Sequence, residues 1–465
     1  MNINQLKSRI IDTAKKSNIT VQAVWDKYLF DRFLVRLSLN KHKDEFVLKG
    51  GYLLENIISI EQRTTLDLDF SYRLSDIGIE VLTEKILSII ETSANDEVFM
   101  SIRDIMPIAK KDNYDGYQVR INATIGNIKK IFGMDIATGD TITPKPNSLK
   151  YHTSIADETI QIKSYNLETM LAEKFQTVIE KSTSNTRMKD YYDIFVLVNH
   201  QDLDIDLCHD ALVNTFETRK TSIKKNDIEA VLENLKISKL IEKMYEDYTI
   251  KNAFAKDTNY LMITEAFYKV KNLIKYQAEF ELRFKSLLFI RHGEDEQDKT
   301  GGWSSNSITK QGVEQVINLK NVIKDKIRIT ENKIVISSDL NRAKQTTEIL
   351  FDSLESVIFD ERLRECNNGD LANLTKEQFQ ITFPFMYFDS LKYNEHYPNG
   401  ESPKENYYRV RNFFEEINLK YENKDLIIVA HAGTYGILKS LINGIVWSNK
   451  QKYKIGYAEF FEFTR

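Results

Sequence analysis

The sequence predicts a multidomain α/β protein whose two halves are built on different patterns. Three observations carry this expectation. A chain of 465 residues is too long for one ordinary core. In the first half, short apolar stretches bounded by Gly or Asp, such as FVLKGG and LDLDF, sit between helical patterns. From Ser286 onward, apolar strands whose last residues are polar alternate with helices, the pattern of a parallel sheet wound by helices.

The elements follow in order. Residues 1–40 read as helices, because Leu6, Ile10, Ile11 and Ala14 recur at helical spacing and Val24 to Leu39 continue it. FVLKGG and LDLDF read as strands joined to helices by tight turns, and YQVRINATI and FGMDIA as two more strands. Residues 166–250 are mostly helical. They open with NLETMLAEKFQTVIEK, where Asn166 suits an N-cap and Thr169 stands where a full capping box would want Glu or Gln. Residues 251–283 lack Pro and Gly and read as a stiff helical connector. SLLFIRHG, KIVISS and DLIIVAHAG are strands that end in polar turns. The expected boundaries are therefore a first domain over 1–250, a connector over 251–283 and a second domain over 284–465.

Composition excludes several classes. With 42% hydrophobic and 28% charged residues the chain has the balance of a soluble globular protein. A net charge of -4 argues against a surface coated for nonspecific nucleic-acid binding, while leaving room for a local basic groove. Cys208 and Cys366, far apart, fit a reducing compartment better than a disulfide framework. The N-terminus has no signal-peptide core and no run of 18 apolar residues occurs, so the expectation is a cytoplasmic protein with no membrane contact.

In the second half, three strand ends carry Arg291-His292-Gly293, Ser337-Ser338 leading to Arg342, and His431-Ala432-Gly433. Two His and two Arg at separate strand exits form a cationic pocket suited to phosphate, whose oxygens guanidinium forks bind bidentately. A neutral imidazole there can attack phosphorus, and a carboxylic acid must protonate the leaving oxygen; Glu365 is the best candidate. The ordered motifs FIRHGE, SSDLNRAKQTTEI, LRECNNG, PNGES and IVAHAGT resemble the histidine phosphatase (phosphoglycerate mutase-like) superfamily from Ser286 to Arg465. That resemblance implies an α/β/α fold with His292 as nucleophile, Arg291, Arg342 and His431 as phosphoryl ligands, Glu365 as proton donor, and no cofactor. It favours a phosphatase over a mutase. The chain departs from the family at RHGEDEQDKTGGW, where Asp298 stands at the offset of a phosphate-holding Asn. Glu294, Asp295, Glu296 and Asp298 are expected to make the pocket mouth acidic. His396, Glu401, Ser402 and Cys366 have plain readings as loop, turn, cap and buried thiol.

In the first half, Lys49-Gly50-Gly51 precedes RTTLDLDF. Positions i and i+2 on a strand share a face, so Asp67 and Asp69 can share a divalent metal, and Asp135 on another strand can complete the set. Such carboxylates with a Gly-rich turn suit a nucleoside triphosphate with Mg²⁺. LKGGYLL, RTTLDLDF, MDIATGD, MLAEKF and RMKDYYDIF resemble the AbiEii-type nucleotidyltransferases of abortive-infection toxin–antitoxin systems over about residues 10–220. The resemblance implies a polymerase-β-like nucleotidyltransferase fold with helical additions. It implies that Gly50 and Gly51, with Lys49, hold the triphosphate, that Asp67, Asp69 and Asp135 bind Mg²⁺ or Mn²⁺, and that Lys174 and Asp190 complete the site. The first motif reads Gly-Gly-Tyr rather than the Gly-Ser of the wider fold. Arg187, Lys189 and Asp193 are equally readable as helix-surface partners.

Together these features predict a bifunctional enzyme. The first domain would transfer a nucleotide from an NTP to an RNA end, tRNA among the options, or to a protein hydroxyl. The second would hydrolyse a phosphate ester. The family of the first half implies phage defence or toxin–antitoxin biology and a cognate antitoxin. Two alternatives stand beside this: an RNA-end repair enzyme that removes a 3′-phosphate before adding nucleotides, and a phosphatase-like domain that only senses or binds.

Overall fold

The computed structural model describes residues 3–58, 67–73, 77–108, 116–278, 280–351 and 353–465. Residues 63–66 of the RTTLDLDF motif lie outside the described residues. The chain forms two compact units, Met1–Thr215 with Ala230–Leu273, and Phe216–Glu229 with Ile274–Arg465.

The first unit begins with α1 (Ile3–Ser17), α2 (Val21–Leu39), β1 (Phe46–Lys49), α3 (Gly50–Ile58), β2 (Asp67–Tyr72) and α4 (Ile79–Ile90). Strands β3 (Val98–Pro107), β4 (Gly116–Ile125), β5 (Ile128–Thr138), β6 (Asn147–His152) and β7 (Thr159–Ser164) follow, then α5 (Leu167–Lys181) and α6 (Met188–Val198). Helices α7 (Ile205–Thr218), α8 (Lys225–Ile237), α9 (Lys239–Lys251) and α10 (Tyr260–Leu273) come next. The strands make one mixed sheet in the order β3-β4-β5-β2-β1-β7-β6. Helix α2 is apolar nearly all round and lies in the core, where Phe30 and Phe33 meet the Phe132 ring at 5.8 and 6.4 Å. Because side chains alternate along a strand, Phe70 and Phe132 face α2 while Asp67, Asp69, Gly133 and Asp135 share the other face.

Two local devices hold this frame. The Asn166 side chain accepts from the Thr169 N–H at 2.8 Å, capping α5 as its sequence suggests. Fully buried Asp31 on α2 accepts from the Tyr52 hydroxyl at 2.9 Å and from Ser154 N and Oγ at 2.7 and 2.9 Å, and also from Tyr151. The tyrosine of Gly-Gly-Tyr thus ties the start of α3 to the core. Residues 251–283, read from sequence as a spacer, include α10, whose Tyr260, Ile263, Phe267 and Val270 are buried in the first unit. Its apolar stripe was masked by interleaved charges.

The second unit takes in the segment Phe216–Glu229, in which Glu217 pairs with Lys439 at 2.6 Å and the Ile223 carbonyl accepts from the Tyr276 hydroxyl at 3.1 Å. Its main elements are β8 (Ser286–Arg291), α11 (Lys310–Ile327), β9 (Lys333–Ser337), α12 (Asn341–Leu350), β10 (Val357–Phe359), α13 (Lys376–Thr382), α14 (Pro403–Lys420), β11 (Asp425–Ala430), α15 (Ala432–Ile442) and β12 (Phe460–Thr464). The sheet order is β10-β9-β11-β8-β12, parallel except for β12, which pairs antiparallel with β8. Strands β8 and β11 are apolar on both faces because helices cover both: Phe289 and Ile428 pack with Phe413 and Leu438, while Ile290 and Val429 pack with Val316 and Ile323. Among the described residues, no helix is long and apolar enough to cross a membrane.

Candidate active sites

In the second unit the register of the sheet assembles the site. Arg291 is paired with Ala430 across β8 and β11, so the next residues, His292 and His431, leave adjacent strand ends together. Their rings lie 5.1 Å apart. His292 Nδ1 lies 2.7 Å from the Gly293 carbonyl, which can only accept, so Nδ1 carries the proton. The lone pair is therefore on Nε2, which accepts from Arg342 Nε at 3.3 Å. Arg342 is itself fixed by the Gly302 carbonyl at 2.8 Å and Ser304 Oγ at 3.3 Å. Arg291 donates to the Ile455 carbonyl at 2.7 Å and stacks 3.7 Å from the Tyr457 ring centroid. Among the described residues, Arg291 Nε and His431 Nδ1 are buried with no hydrogen-bond partner, leaving two polar atoms of the pocket able to meet a bound group.

Glu365 completes the group. Its carboxylate accepts from Cys366 N at 3.1 Å and Gly433 N at 3.2 Å. A β-carbon at Gly433 would lie 2.1 Å from Glu365 Oε1, so any side chain there would push the carboxylate out of this position. The Glu365 carbonyl accepts from Trp303 Nε1 at 2.7 Å and from Arg409 Nη2 at 3.2 Å, and Arg409 is locked to Glu401 at 2.7 Å. Neither Trp303, Arg409 nor Tyr457 was marked in the sequence.

The acidic loop differs from its expected form. Asp298 is exposed on the surface, Glu296 pairs with Lys299 at 3.0 Å, and Glu294 turns toward Thr309 at 3.4 Å. Only Asp295 turns inward; it is buried with Oδ2 3.5 Å from Arg342 Nε. The remaining polar residues are structural. Ser402 caps α14 in a capping box, His396 is exposed beside Glu405, and burial pushes the Cys366 thiol well up.

Burial, and then the Arg342 charge, hold both His292 and His431 well below the ordinary histidine range, so both are neutral in the folded chain. An unfolded chain would protonate them near pH 6.5. The stability they confer is complete above that pH and is lost as pH falls toward the depressed folded values, at about 1.4 kcal/mol per pH unit for each ring. His292→Gln is expected to shed one such increment of slope between pH 6.5 and 5 in chemical unfolding of the second unit. An unchanged slope would mean that His292 is not held neutral.

In the first unit, Lys49 pairs with Asp69 across β1 and β2, and Asp69 with Asp135 across β2 and β5. Gly50 follows at φ +72°, and a β-carbon there would fall 1.9 Å from Asp69 Oδ2, so only glycine lets the backbone pass. Burial and the Asp135 charge raise the carboxyls of Asp67 and Asp69; Lys189 opposes the rise at both, and Lys49 also at Asp69. Lys49 Nζ meets Asp140 and lies 3.7 Å from Glu173. Lys174 Nζ sits between Asp190 at 2.8 Å and Asp193 at 2.7 Å. Asp193 is fully buried, so of the three helix partners left open by sequence it belongs to this cluster. Burial would raise Asp190, but the Lys174 charge and hydrogen bond outweigh it and hold the carboxyl below its ordinary value. Among the described residues, no three acidic, His or Cys side chains are gathered into a ready metal cage.

Known proteins match both units. Residues 32–264 match the family described as "Nucleotidyl transferase AbiEii toxin, Type IV TA system", and residues 287–465 match "Histidine phosphatase superfamily (branch 1)". Over 173 residues the chain is 30% identical to a probable phosphoglycerate mutase GpmB of Erwinia tasmaniensis, covering 36% of this chain and 78% of that protein. Over 163 residues it is 28% identical to the uncharacterized phosphatase PhoE of Bacillus subtilis, covering 34% of this chain and 78% of that one. A 2,3-bisphosphoglycerate-dependent phosphoglycerate mutase of Parvibaculum lavamentivorans is 29% identical over 167 residues, 34% of this chain and 77% of its own. With paired histidines and two arginines gathered at the strand ends of one unit and paired carboxylates beside a glycine turn in the other, the chain is an enzyme that belongs to the AbiEii nucleotidyl transferase family through its first unit and to the histidine phosphatase superfamily through its second.

Proposed function

We propose that the chain transfers nucleotides from an NTP with its first unit and hydrolyses a phosphate ester through a phosphohistidine with its second. The observation that carries the second activity is the His292 imidazole, with Nδ1–H fixed on the Gly293 carbonyl and its Nε2 lone pair beside the Arg342 guanidinium. Substrate oxygens take hydrogen bonds from Arg291, Arg342 and His431. His292 Nε2 attacks phosphorus, and the leaving oxygen takes its proton from Glu365. The Glu365 carboxylate then accepts a proton from the water that breaks the phosphohistidine, releasing phosphate and restoring the imidazole.

Glu365→Gln is expected to lower turnover of an alkyl phosphate by about 100-fold or more, and that of p-nitrophenyl phosphate by less, because a nitrophenolate needs little protonation. Equal losses on both would remove Glu365 from the acid role.

For the first unit, the mixed sheet, the glycine turn after β1 and the carboxylates on β2 and β5 support a polymerase-β-like nucleotidyltransferase fold. Asp67, Asp69 and Asp135 share one face, and two of them are raised partly by like charge, a donor set that a divalent cation would relieve. Bound there, Mg²⁺ or Mn²⁺ would polarise the α-phosphate and acidify the attacking hydroxyl. Gly50 and Gly51, half-buried at the turn, are the proposed backbone contacts for phosphate oxygens, with Lys49 and Lys174, both ion-paired here, as the cations nearby. The acceptor is an RNA end, such as tRNA, or a protein hydroxyl, and the setting is cytoplasmic toxin–antitoxin or phage-defence biology with a cognate antitoxin. Incubating the protein with each labelled NTP, Mg²⁺, total RNA and total protein tests this. Label in neither pool would overturn the transferase reading.

A further inference from the structure

The strongest unassigned feature is Asp295. A carboxylate is buried where the phosphate's own arginine sits: Arg342 Nε lies 3.3 Å from His292 Nε2 and 3.5 Å from Asp295 Oδ2. A phosphoryl oxygen that accepts from Arg342 Nε while phosphorus faces His292 therefore competes with Asp295 for the same N–H. The loop holds the carboxyl in place through Gln297 Nε2, 3.3 Å from Oδ1, and through an antiparallel bridge between Asp295 and Ile308. The cationic groups facing it are Arg342 from α12 and Arg291 from β8, with Asn306 as a neutral partner. Both imidazoles are neutral, and Glu365 draws on Arg342 from another side. Two arginines thus answer two carboxylates before any substrate arrives.

We propose that Asp295 is a specificity-determining residue whose carboxyl must take up a proton, becoming a hydrogen-bond donor to a phosphoryl oxygen, before a phosphate ester can bind. The proton comes from solvent on binding and returns to solvent when phosphate leaves. Two buried anions in contact cannot both stay charged, and a protonated carboxyl is a good donor to the one that does. Burial already pushes Asp295 upward against the pull of Arg342, which is the direction proton uptake needs. The inference rests on the phosphatase reading of this pocket.

The test compares kcat/KM for p-nitrophenyl phosphate in the full-length wild type and in Asp295→Asn from pH 5 to 8. Taking the ratio of the two proteins cancels the substrate's own ionisation. The ratio of variant to wild type is expected to climb by about tenfold per pH unit once the carboxyl titrates, favouring the variant by about tenfold or more at pH 8. The inhibition constant for orthovanadate should follow the same course. Calorimetry with inorganic phosphate, run in two buffers of different ionisation enthalpy, should show about one more proton taken up by the wild type than by the variant. Asp295→Ser serves if the asparagine variant fails to fold. A flat ratio, or equal proton uptake, overturns the role of Asp295 while leaving the phosphatase intact. Absence of both turnover and phosphate binding in every protein at every pH overturns the phosphatase reading and this inference with it.

Discussion

His292→Ala is expected to lower p-nitrophenyl phosphate turnover at least about 1,000-fold, because it removes the atom proposed to form the bond to phosphorus. The geometry makes the outcome specific to one nitrogen. Nδ1 is committed to the Gly293 carbonyl, so Nε2 alone has a lone pair facing Arg342. His431, whose Nε2 contacts Ser338 Oγ at 2.8 Å, is proposed to bind the phosphoryl oxygens instead. A phosphoenzyme trapped from labelled substrate should be stable to base and labile to acid, as a phosphorus–nitrogen bond is, and absent from the variant. Retention of more than a tenth of the wild-type rate would place the nucleophile elsewhere. A wild type that binds phosphate without turning over any ester would instead favour a sensing module.

The second large effect belongs to the other unit. The double substitution Asp67→Ala, Asp69→Ala is expected to reduce NTP-dependent labelling of the acceptor by more than about 1,000-fold, since no other acidic pair lies beside the Gly50 turn on this strand. Fold damage would be a rival explanation, and the electrostatics separate the two. Burial of Asp69 and its repulsion with Asp135 disfavour the charged carboxylates, so their removal should not lower the thermal midpoint of the first unit. Labelling and cellular toxicity that survive the double substitution would end the nucleotidyltransferase assignment.

Much of this was legible along the chain because the chemistry sits at strand ends. Arg-His-Gly after SLLFI, His-Ala-Gly after DLIIVA and Asp-Leu-Asp in an alternating run declare both the element and the side chain that leaves it. What was hidden depends on contacts that no spacing encodes. Trp303 and Arg409 hold the Glu365 carbonyl from segments far away in sequence, and Tyr457 reaches Arg291 from the loop before the last strand. Four acidic residues follow Arg-His-Gly within one short loop, and only the path of its backbone decides that Asp295 turns inward while Asp298 stays in water. Asp193 stands three residues after Asp190, a spacing shared by surface pairs and by the buried clasp around Lys174. The edge strand β12 has the sequence FFEFT, too short and too half-exposed to signal itself.

The chain crosses between its compact units three times, because Phe216–Glu229 belongs to the second unit and Ala230–Leu273 returns to the first. No single cut can therefore separate the two units with both left whole. A fragment beginning near residue 274 would leave behind the Glu217 partner of Lys439 and the Ile223 carbonyl that receives Tyr276. The two catalysts are consequently not cassettes that recombination could exchange at one joint.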